Sequence, residues 1–267
     1  MKSLNLLRHV RIDGDVTNFS RYILKEIIAE RLQEVANGEW KLGLSDSQIG
    51  QFVTYAELLV EWNQKFNLTR LTAPEQIADG HFLDSLAMLQ AVKMRQGGHV
   101  IDVGTGAGFP GIALKIARPD LMITLLDSTK KKLSFCDEVI TRLGLDGIRT
   151  LHGRAEEVAR EPQHNGSYEF VTARAVAPLD RLLGWCAPFV NVGGLIIAFK
   201  GSSVNEEMTG GIPAAKRLRL NLGKPIPIVI PGSETQSGRF IVTARRDTPL
   251  SPLSSRLPPG GREPGRR

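Results

Sequence analysis

A glycine-rich run in the middle of the chain has the residue types that bind a nucleotide-like cofactor. Residues 99–111 read HVIDVGTGAGFPG, an apolar stretch followed by closely spaced glycines. Glycine permits positive φ and a close approach of the backbone to a ligand. The first backbone N–H groups of a following helix are unpaired donors that hold polar groups. The spacing therefore predicts a cofactor loop between a buried strand and a helix.

The identity of that cofactor depends on Asp102. The segment from Gly106 to Gly111 matches the dinucleotide fingerprint G-x-G-x-x-G, so a nicotinamide-dependent oxidoreductase is one alternative. Asp102 lies two positions before Gly104, the first glycine of the loop. A carboxylate there is unfavourable beside a pyrophosphate and favourable beside a cation. S-adenosylmethionine carries an ammonium and a sulfonium, and we predict it as the cofactor. Asp102 then either contacts it or accepts hydrogen bonds from nearby backbone amides.

A second carboxylate, Asp127, closes the next apolar stretch, 122–126. An acidic side chain at the end of the second strand accepts hydrogen bonds from ribose hydroxyls. Nicotinamide dinucleotides and S-adenosylmethionine both contain ribose, so this residue does not separate the two cofactors.

Composition limits the class of protein. The chain has 267 residues, of which 42% are hydrophobic and 23% charged, enough for an α/β domain with a helical addition. No apolar run approaches the roughly 18 residues of a membrane span, so we expect a cytoplasmic protein that does not enter a membrane. Cys136 and Cys186 lack metal-ligand spacing, which predicts buried free thiols and no metal site.

The net charge of +6 does not by itself identify a nucleic-acid-binding surface. Six arginines lie from Arg245 to the end of the chain and account for most of the excess. The segment 248–267 is rich in Pro, Gly, Ser and Arg, a composition typical of disorder.

Hydrophobic periodicity predicts the elements around the loop. Ser45 and Gln48 form a capping box that starts a helix, and a second helix starts near Pro74. Beyond residue 99 we predict strands at 100–103, 122–126, 148–151, 168–172 and 194–199, with helices near 110–117, 130–143, 155–160, 179–188 and 205–218. Strands at 225–230 and 239–243 around the Pro231-Gly232 turn predict an antiparallel hairpin.

This order predicts an α/β fold: a Rossmann-like, S-adenosylmethionine-dependent methyltransferase sheet, parallel with an antiparallel C-terminal hairpin, and an N-terminal helical region. We divide the chain into an extension at 1–43, partly helical or disordered, a helical region at 44–95, the methyltransferase domain at 96–247, and a disordered basic tail at 248–267.

Seven short motifs in order resemble the RsmG (GidB) family of bacterial methyltransferases, which make 7-methylguanosine in small-subunit (16S) ribosomal RNA. They are residues 62–69 (WNQKFNLT), 81–86 (HFLDSL), 101–112, 125–128 (LLDS), 153–157 (GRAEE), 172–175 (TARA) and 200–201 (KG). The resemblance extends over about three quarters of the chain, from about residue 45 to 245. It implies 16S ribosomal RNA as the partner, within the small ribosomal subunit.

The resemblance also implies roles for individual residues. Guanine N7 carries a lone pair and no proton, so methyl transfer to it requires no general base. The expected cofactor-binding residues, including those of the glycine loop, are Asp102, Gly104, Gly106, Phe109, Asp127, Ala155, Glu156 and Arg174. The expected substrate-side residues are Asn67, His81 and Arg174.

Simpler structural roles remain open for several of these residues. Asn67 can be a turn former or helix cap, and His81 a packed histidine. Glu156 can be a first-turn carboxylate favoured by the helix dipole, and Arg174 an ion-pair partner of Asp102 or Asp127. Two functional alternatives also remain: a methyltransferase that acts on a small molecule or protein, and a noncatalytic RNA-binding module.

Overall fold

A mixed sheet with helices on both faces forms the centre of the protein. The computed structural model describes residues 16–233 and 238–248. Within them the strands are β1 His99–Val103, β2 Met122–Asp127, β3 Ile148–His152, β4 Tyr168–Arg174, β5 Val190–Lys200, β6 Leu220–Leu222, β7 Ile226–Ile228 and β8 Arg239–Arg246. Their order is β3-β2-β1-β4-β5-β8-β6, and β7 also pairs with β8. Strands β1 to β5 are parallel, and β8 is antiparallel to β5. The predicted fold class is confirmed.

Helices cover both faces of this sheet. On the N-terminal side they are α1 Val16–Arg31, a π-helix Leu32–Glu39, α2 Asp46–Phe66, α3 Pro74–Ile77, a π-helix Ala78–Leu83, α4 Asp84–Leu86 and α5 Met88–Ala91. Between and after the parallel strands they are α6 Gly111–Ala117, α7 Lys130–Leu143, α8 Ala155–Val158, α9 Leu179–Cys186 and α10 Val204–Arg217. In the described part of the chain, no helix has the length and apolar content needed to cross a membrane.

The C-terminal part of the sheet contains the predicted hairpin and one further strand. Strands β7 and β8 pair antiparallel, with Ile226 opposite Ile241. Strand β6, which the sequence does not predict, pairs with the other end of β8. It has only three residues, too few for an alternating pattern. The predicted tail falls almost entirely on residues 249–267, which lie outside the described residues, and the four domain boundaries remain predictions.

Helix α2 holds the glycine loop in place from outside the sheet. Its N-terminus has the predicted capping box between Ser45 and Gln48. The Gln48 side chain also donates to the carbonyl of Ile116, at 2.6 Å, near the end of α6. Residues three and four positions apart share a helix face, and Tyr55, on the same face, donates its hydroxyl to the carbonyl of Ala107. The N-terminal helices therefore position the loop that the sequence singles out.

Gly111 lets α6 lie close to the sheet. A Cβ at this position would meet Leu125 Cδ2 at 2.3 Å and Asp102 Oδ2 at 3.1 Å. Its backbone N–H donates to the same Asp102 oxygen at 3.1 Å. The helix start therefore has no room for a side chain.

Replacing Gly111 with alanine should destabilise the protein by about 1–3 kcal/mol, because the added methyl group overpacks the α6–sheet contact. Urea unfolding measures the change. Gly50→Ala is the matched control, because Gly50 lies inside α2 and a Cβ there would have no neighbouring atom within 4 Å. That variant should be neutral or more stable by up to about 1 kcal/mol. Equal effects of the two substitutions would contradict the packing account.

Candidate functional site

A cleft of about 490 Å³ opens at the carboxyl ends of β1, β2, β3 and β4. This volume is within the range of small-molecule sites, and open α/β sheets bind ligands at this edge. Most of the predicted site residues line the cleft: His81, Gly104, Gly106, Phe109, Asp127, Ala155, Glu156 and Arg174. Asn67 and Asp102 are not among the lining residues.

Asp102 lies behind the cleft, fully buried. Its Oδ2 accepts hydrogen bonds from the Thr105 hydroxyl at 2.6 Å and the Gly111 N–H at 3.1 Å, and its Oδ1 accepts one from the Thr172 hydroxyl at 2.8 Å. Burial raises the pKa of Asp102, and these hydrogen bonds oppose the rise. We therefore correct the predicted cofactor contact: Asp102 joins the loop to β4 and α6, as in the alternative that the sequence left open.

The glycine loop and Asp127 form the next part of the wall. Gly104 has φ +71°, and a Cβ there would meet Val176 Cγ1 at 2.3 Å. Gly106 N–H donates to Asp127 Oδ2 at 3.0 Å, and Thr129 N–H donates to Asp127 Oδ1 at 2.8 Å. A carboxylate has about four lone-pair sites. Asp127 can therefore accept further hydrogen bonds from a ligand in the cleft.

Ala155 and Glu156 also line the cleft, at the start of α8. Glu156 is partly exposed, and its carboxylate forms no hydrogen bond or ion pair with another described residue. The indole of Trp185, on α9, lines the cleft as well. Trp185 is not among the residues predicted from the sequence. An apolar residue at helical spacing can lie in the core or on the wall of a cleft, and the sequence pattern is the same in both cases.

Arg174, at the end of β4, belongs to a buried ionic network. Its Nη1 donates to Asp84 Oδ2 and to the carbonyl of Gly80, each at 3.0 Å. Arg239 donates to both Asp84 oxygens, at 3.0 and 2.7 Å. Asp84 is fully buried. The ion-pair partner of Arg174 is therefore Asp84 and not Asp102 or Asp127, and the group of three keeps one excess positive charge.

His81 lies beside Arg174 on the wall of the cleft. Its Nδ1 is 3.0 Å from Arg174 Nη2, and its ring stacks on Phe109 with centroids 4.4 Å apart. On the other side Phe109 stacks on Tyr55, at 5.0 Å. Burial and the charges of Arg174 and Arg239 lower the pKa of His81 to about 3. His81 is therefore a neutral side chain at physiological pH.

Asn67 is the C-cap of α2, with a left-handed backbone at φ +47° and ψ +50°. Asparagine is tolerated in this conformation. The cap role, which the sequence left open, explains the backbone of Asn67, and the contact of its exposed side chain with substrate stays a prediction. Its neighbour Thr69 lines the cleft instead, a residue that the sequence analysis missed inside the same motif.

The lining residues fit the predicted cofactor. S-adenosylmethionine has ribose hydroxyls, which need acceptors such as Asp127, and an adenine whose edge can meet Glu156. Its amino-acid end has polar groups that backbone N–H and C=O groups can bind, and Gly104 brings backbone to the cleft wall.

The thiols behave as the sequence predicts. Cys136 and Cys186 are buried and free, and burial raises the pKa of each. Across the described residues, no cluster of three or more His, Cys, Asp or Glu side chains is arranged to hold a metal ion.

Comparison with known proteins gives consistent matches. The family model described as "rRNA small subunit methyltransferase G" (GidB) matches residues 48–217. Proteins named ribosomal RNA small subunit methyltransferase G are similar: that of Alkaliphilus metalliredigens is 42% identical over 206 residues (77% of this chain, 86% of the relative), and that of Clostridium novyi 39% over 208 (78% and 86%).

A solved structure of an S-adenosylmethionine-dependent methyltransferase from Aquifex aeolicus shares the fold. Its TM-score is 0.51 at 16% identity, and the match covers 67% of this chain and 96% of that one. This structure supports the fold. The match to a methyltransferase family sets the dinucleotide alternative aside and supports S-adenosylmethionine as the cofactor. The chain belongs to the GidB family of small-subunit ribosomal RNA methyltransferases.

Proposed function

We propose that the protein transfers a methyl group from S-adenosylmethionine to N7 of a guanine in 16S ribosomal RNA, within the small ribosomal subunit in the cytoplasm. The relatives named above are small-subunit ribosomal RNA methyltransferases, which supports the substrate class. The resemblance in the site motifs supports N7 as the acceptor atom.

The observation that carries the proposal is the state of His81. It is the histidine on the cleft wall, and its Nδ1 faces a guanidinium, which can only donate. Its lone pair is therefore occupied and its pKa is about 3, so it cannot take a proton from a substrate near neutral pH. A cleft whose histidine cannot accept a proton suits a methyl acceptor that carries no proton. Guanine N7 is such an atom.

The cofactor, when bound, supplies an electrophilic methyl group on a sulfonium. The protein then has to align the lone pair of N7 with that methyl group and exclude water. Phe109 lines the cleft and stacks on both Tyr55 and His81, so this part of the wall is apolar and held in place. No proton transfer by a side chain is needed.

The charges on the substrate side favour RNA. Arg174 and Arg239 share a single carboxylate, and Lys132 lines the same cleft. Guanine N7 is hidden in the deep, narrow groove of an A-form duplex. The target guanine is therefore expected in a loop or an otherwise unstacked position.

Transfer of labelled methyl groups tests the function. Purified protein and labelled S-adenosylmethionine are incubated with small ribosomal subunits that lack the modification, and the RNA is digested to nucleosides. The proposal predicts label in 7-methylguanosine. Label in another nucleoside would overturn the N7 assignment, and label transferred only to proteins or small molecules would overturn the RNA substrate.

Asp127→Ala should weaken S-adenosylmethionine binding by about 1.5–3 kcal/mol, because a charged acceptor of hydrogen bonds is lost. Calorimetric titration measures the affinity, and a thermal melt checks that the variant is folded. Asp180→Ala, an exposed carboxylate on α9 outside the cleft lining, is the control and should leave the affinity unchanged. Unchanged affinity in Asp127→Ala would remove this residue from the cofactor site.

The methyl-transfer step should not depend on pH between about 6 and 9. His81 is neutral over this whole interval because its pKa is lowered to about 3, and N7 has no proton to remove. Single-turnover rates measure the step. His81→Gln should lower the rate, if at all, by the same factor at every pH. A rate that rises tenfold per pH unit, and loses that rise in His81→Gln, would reveal a general base.

A further inference from the structure

Thr69 is a cleft-wall residue whose hydroxyl oxygen has two hydrogen-bond partners within the protein. Its Oγ1 accepts a hydrogen bond from the backbone N–H of Leu71 at 3.0 Å. The same oxygen is 2.8 Å from Nε2 of His81. The direction of this second bond decides what Thr69 can offer to a ligand.

Arg174 fixes that direction. A guanidinium has only donors, so the 3.0 Å contact between Arg174 Nη2 and His81 Nδ1 makes Nδ1 an acceptor. The proton of the neutral imidazole must then be on Nε2, and His81 donates to Thr69 Oγ1. With bonds from Leu71 and His81, both lone pairs of the hydroxyl are occupied, and only its O–H proton remains to be used.

We propose that the Thr69 hydroxyl donates a hydrogen bond to O6 of the target guanine and thereby selects guanine over adenine. This inference rests on the proposed function and names a specificity-determining residue for it. Thr69 lines the same cleft as Arg174 and His81, and its hydroxyl is in contact with the His81 ring.

The chemistry of the purine edges supports this assignment. Next to N7, guanine has the acceptor O6, whereas adenine has the donor amine N6. A hydroxyl with both lone pairs occupied can only donate, so it stabilises O6 and cannot accept from N6. Arg174 on the same wall is also donor-only. In an adenine at this position the N6 amine would face the Thr69 hydroxyl and Arg174. All three groups are donors, so no hydrogen bond could form.

The test compares two substrates in the wild type and three variants. Small subunits are reconstituted with RNA that has either guanine or 2-aminopurine at the mapped target; 2-aminopurine keeps N7 but lacks O6. Single-turnover methyl transfer is measured for the wild type, Thr69→Val and Thr69→Ser. Thr54→Val, the same substitution on a surface of α2 outside the cleft lining, is the matched control.

The wild type and Thr54→Val should prefer guanine to 2-aminopurine by about tenfold or more. Thr69→Val should lower the rate on guanine by about tenfold and leave the rate on 2-aminopurine unchanged, which removes most of the preference. Thr69→Ser should restore it, because serine keeps the hydroxyl. The affinity for S-adenosylmethionine, measured by calorimetry, should change less than about twofold in all variants.

Other outcomes overturn the inference in distinct ways. Equal losses on both substrates would mean that Thr69 has only a structural role. A loss of cofactor affinity with an unchanged substrate preference would assign the hydroxyl to S-adenosylmethionine. Absence of transfer by the wild type to guanine-containing subunits would contradict the proposed function itself and not only the role of Thr69.

Discussion

The buried carboxylate of Asp84 is the interaction on which the substrate side of the cleft depends. It holds the guanidinium groups of Arg174 and Arg239 at 3.0 Å or less, although Asp84 and Arg239 are separated by 155 positions in the sequence. Removing one partner of a buried ion pair costs about 3–5 kcal/mol, because the other charge is left uncompensated. The network therefore ties the N-terminal helices to β4 and β8. It also fixes Arg174, which in turn fixes the protonation state of His81.

A second constraint acts on the glycine loop after β1. Asp102 accepts hydrogen bonds from Thr105, Gly111 and Thr172, which join the glycine loop to α6 and β4. From α2, Tyr55 donates to the Ala107 carbonyl and stacks on Phe109. The N-terminal helical region thus has a direct part in shaping the cleft. Its contacts explain why motifs from before and after residue 99 meet in one site.

The sequence predicted those features that depend on local pattern. The five parallel strands follow from apolar runs, and the start of α2 from the capping box at Ser45. The sequence allowed for helix within residues 1–43 but did not predict the bounds of α1, and it did not predict the three-residue strand β6. The contacts of Asp84 and Thr69 could not be predicted, because they depend on partners that only the tertiary structure brings together. For Asp102 the sequence left two roles open, and its burial favours the structural one. Asp127 ends β2 and Glu156 follows β3 in the first turn of α8, and both line the cleft because the carboxyl ends of parallel strands share one edge. Their contacts with the cofactor stay predictions.

The central claim is that Arg174 holds His81 as a neutral imidazole with its proton on Nε2. Nitrogen NMR of protein labelled with ¹⁵N at the histidine ring, with His81→Gln used to assign the signals, measures the tautomer and the ionisation directly. The account predicts a pair of His81 resonances with one protonated nitrogen, Nε2, and no titration between about pH 5 and 8. An imidazolium signal in this interval, or a proton on Nδ1, would contradict the account.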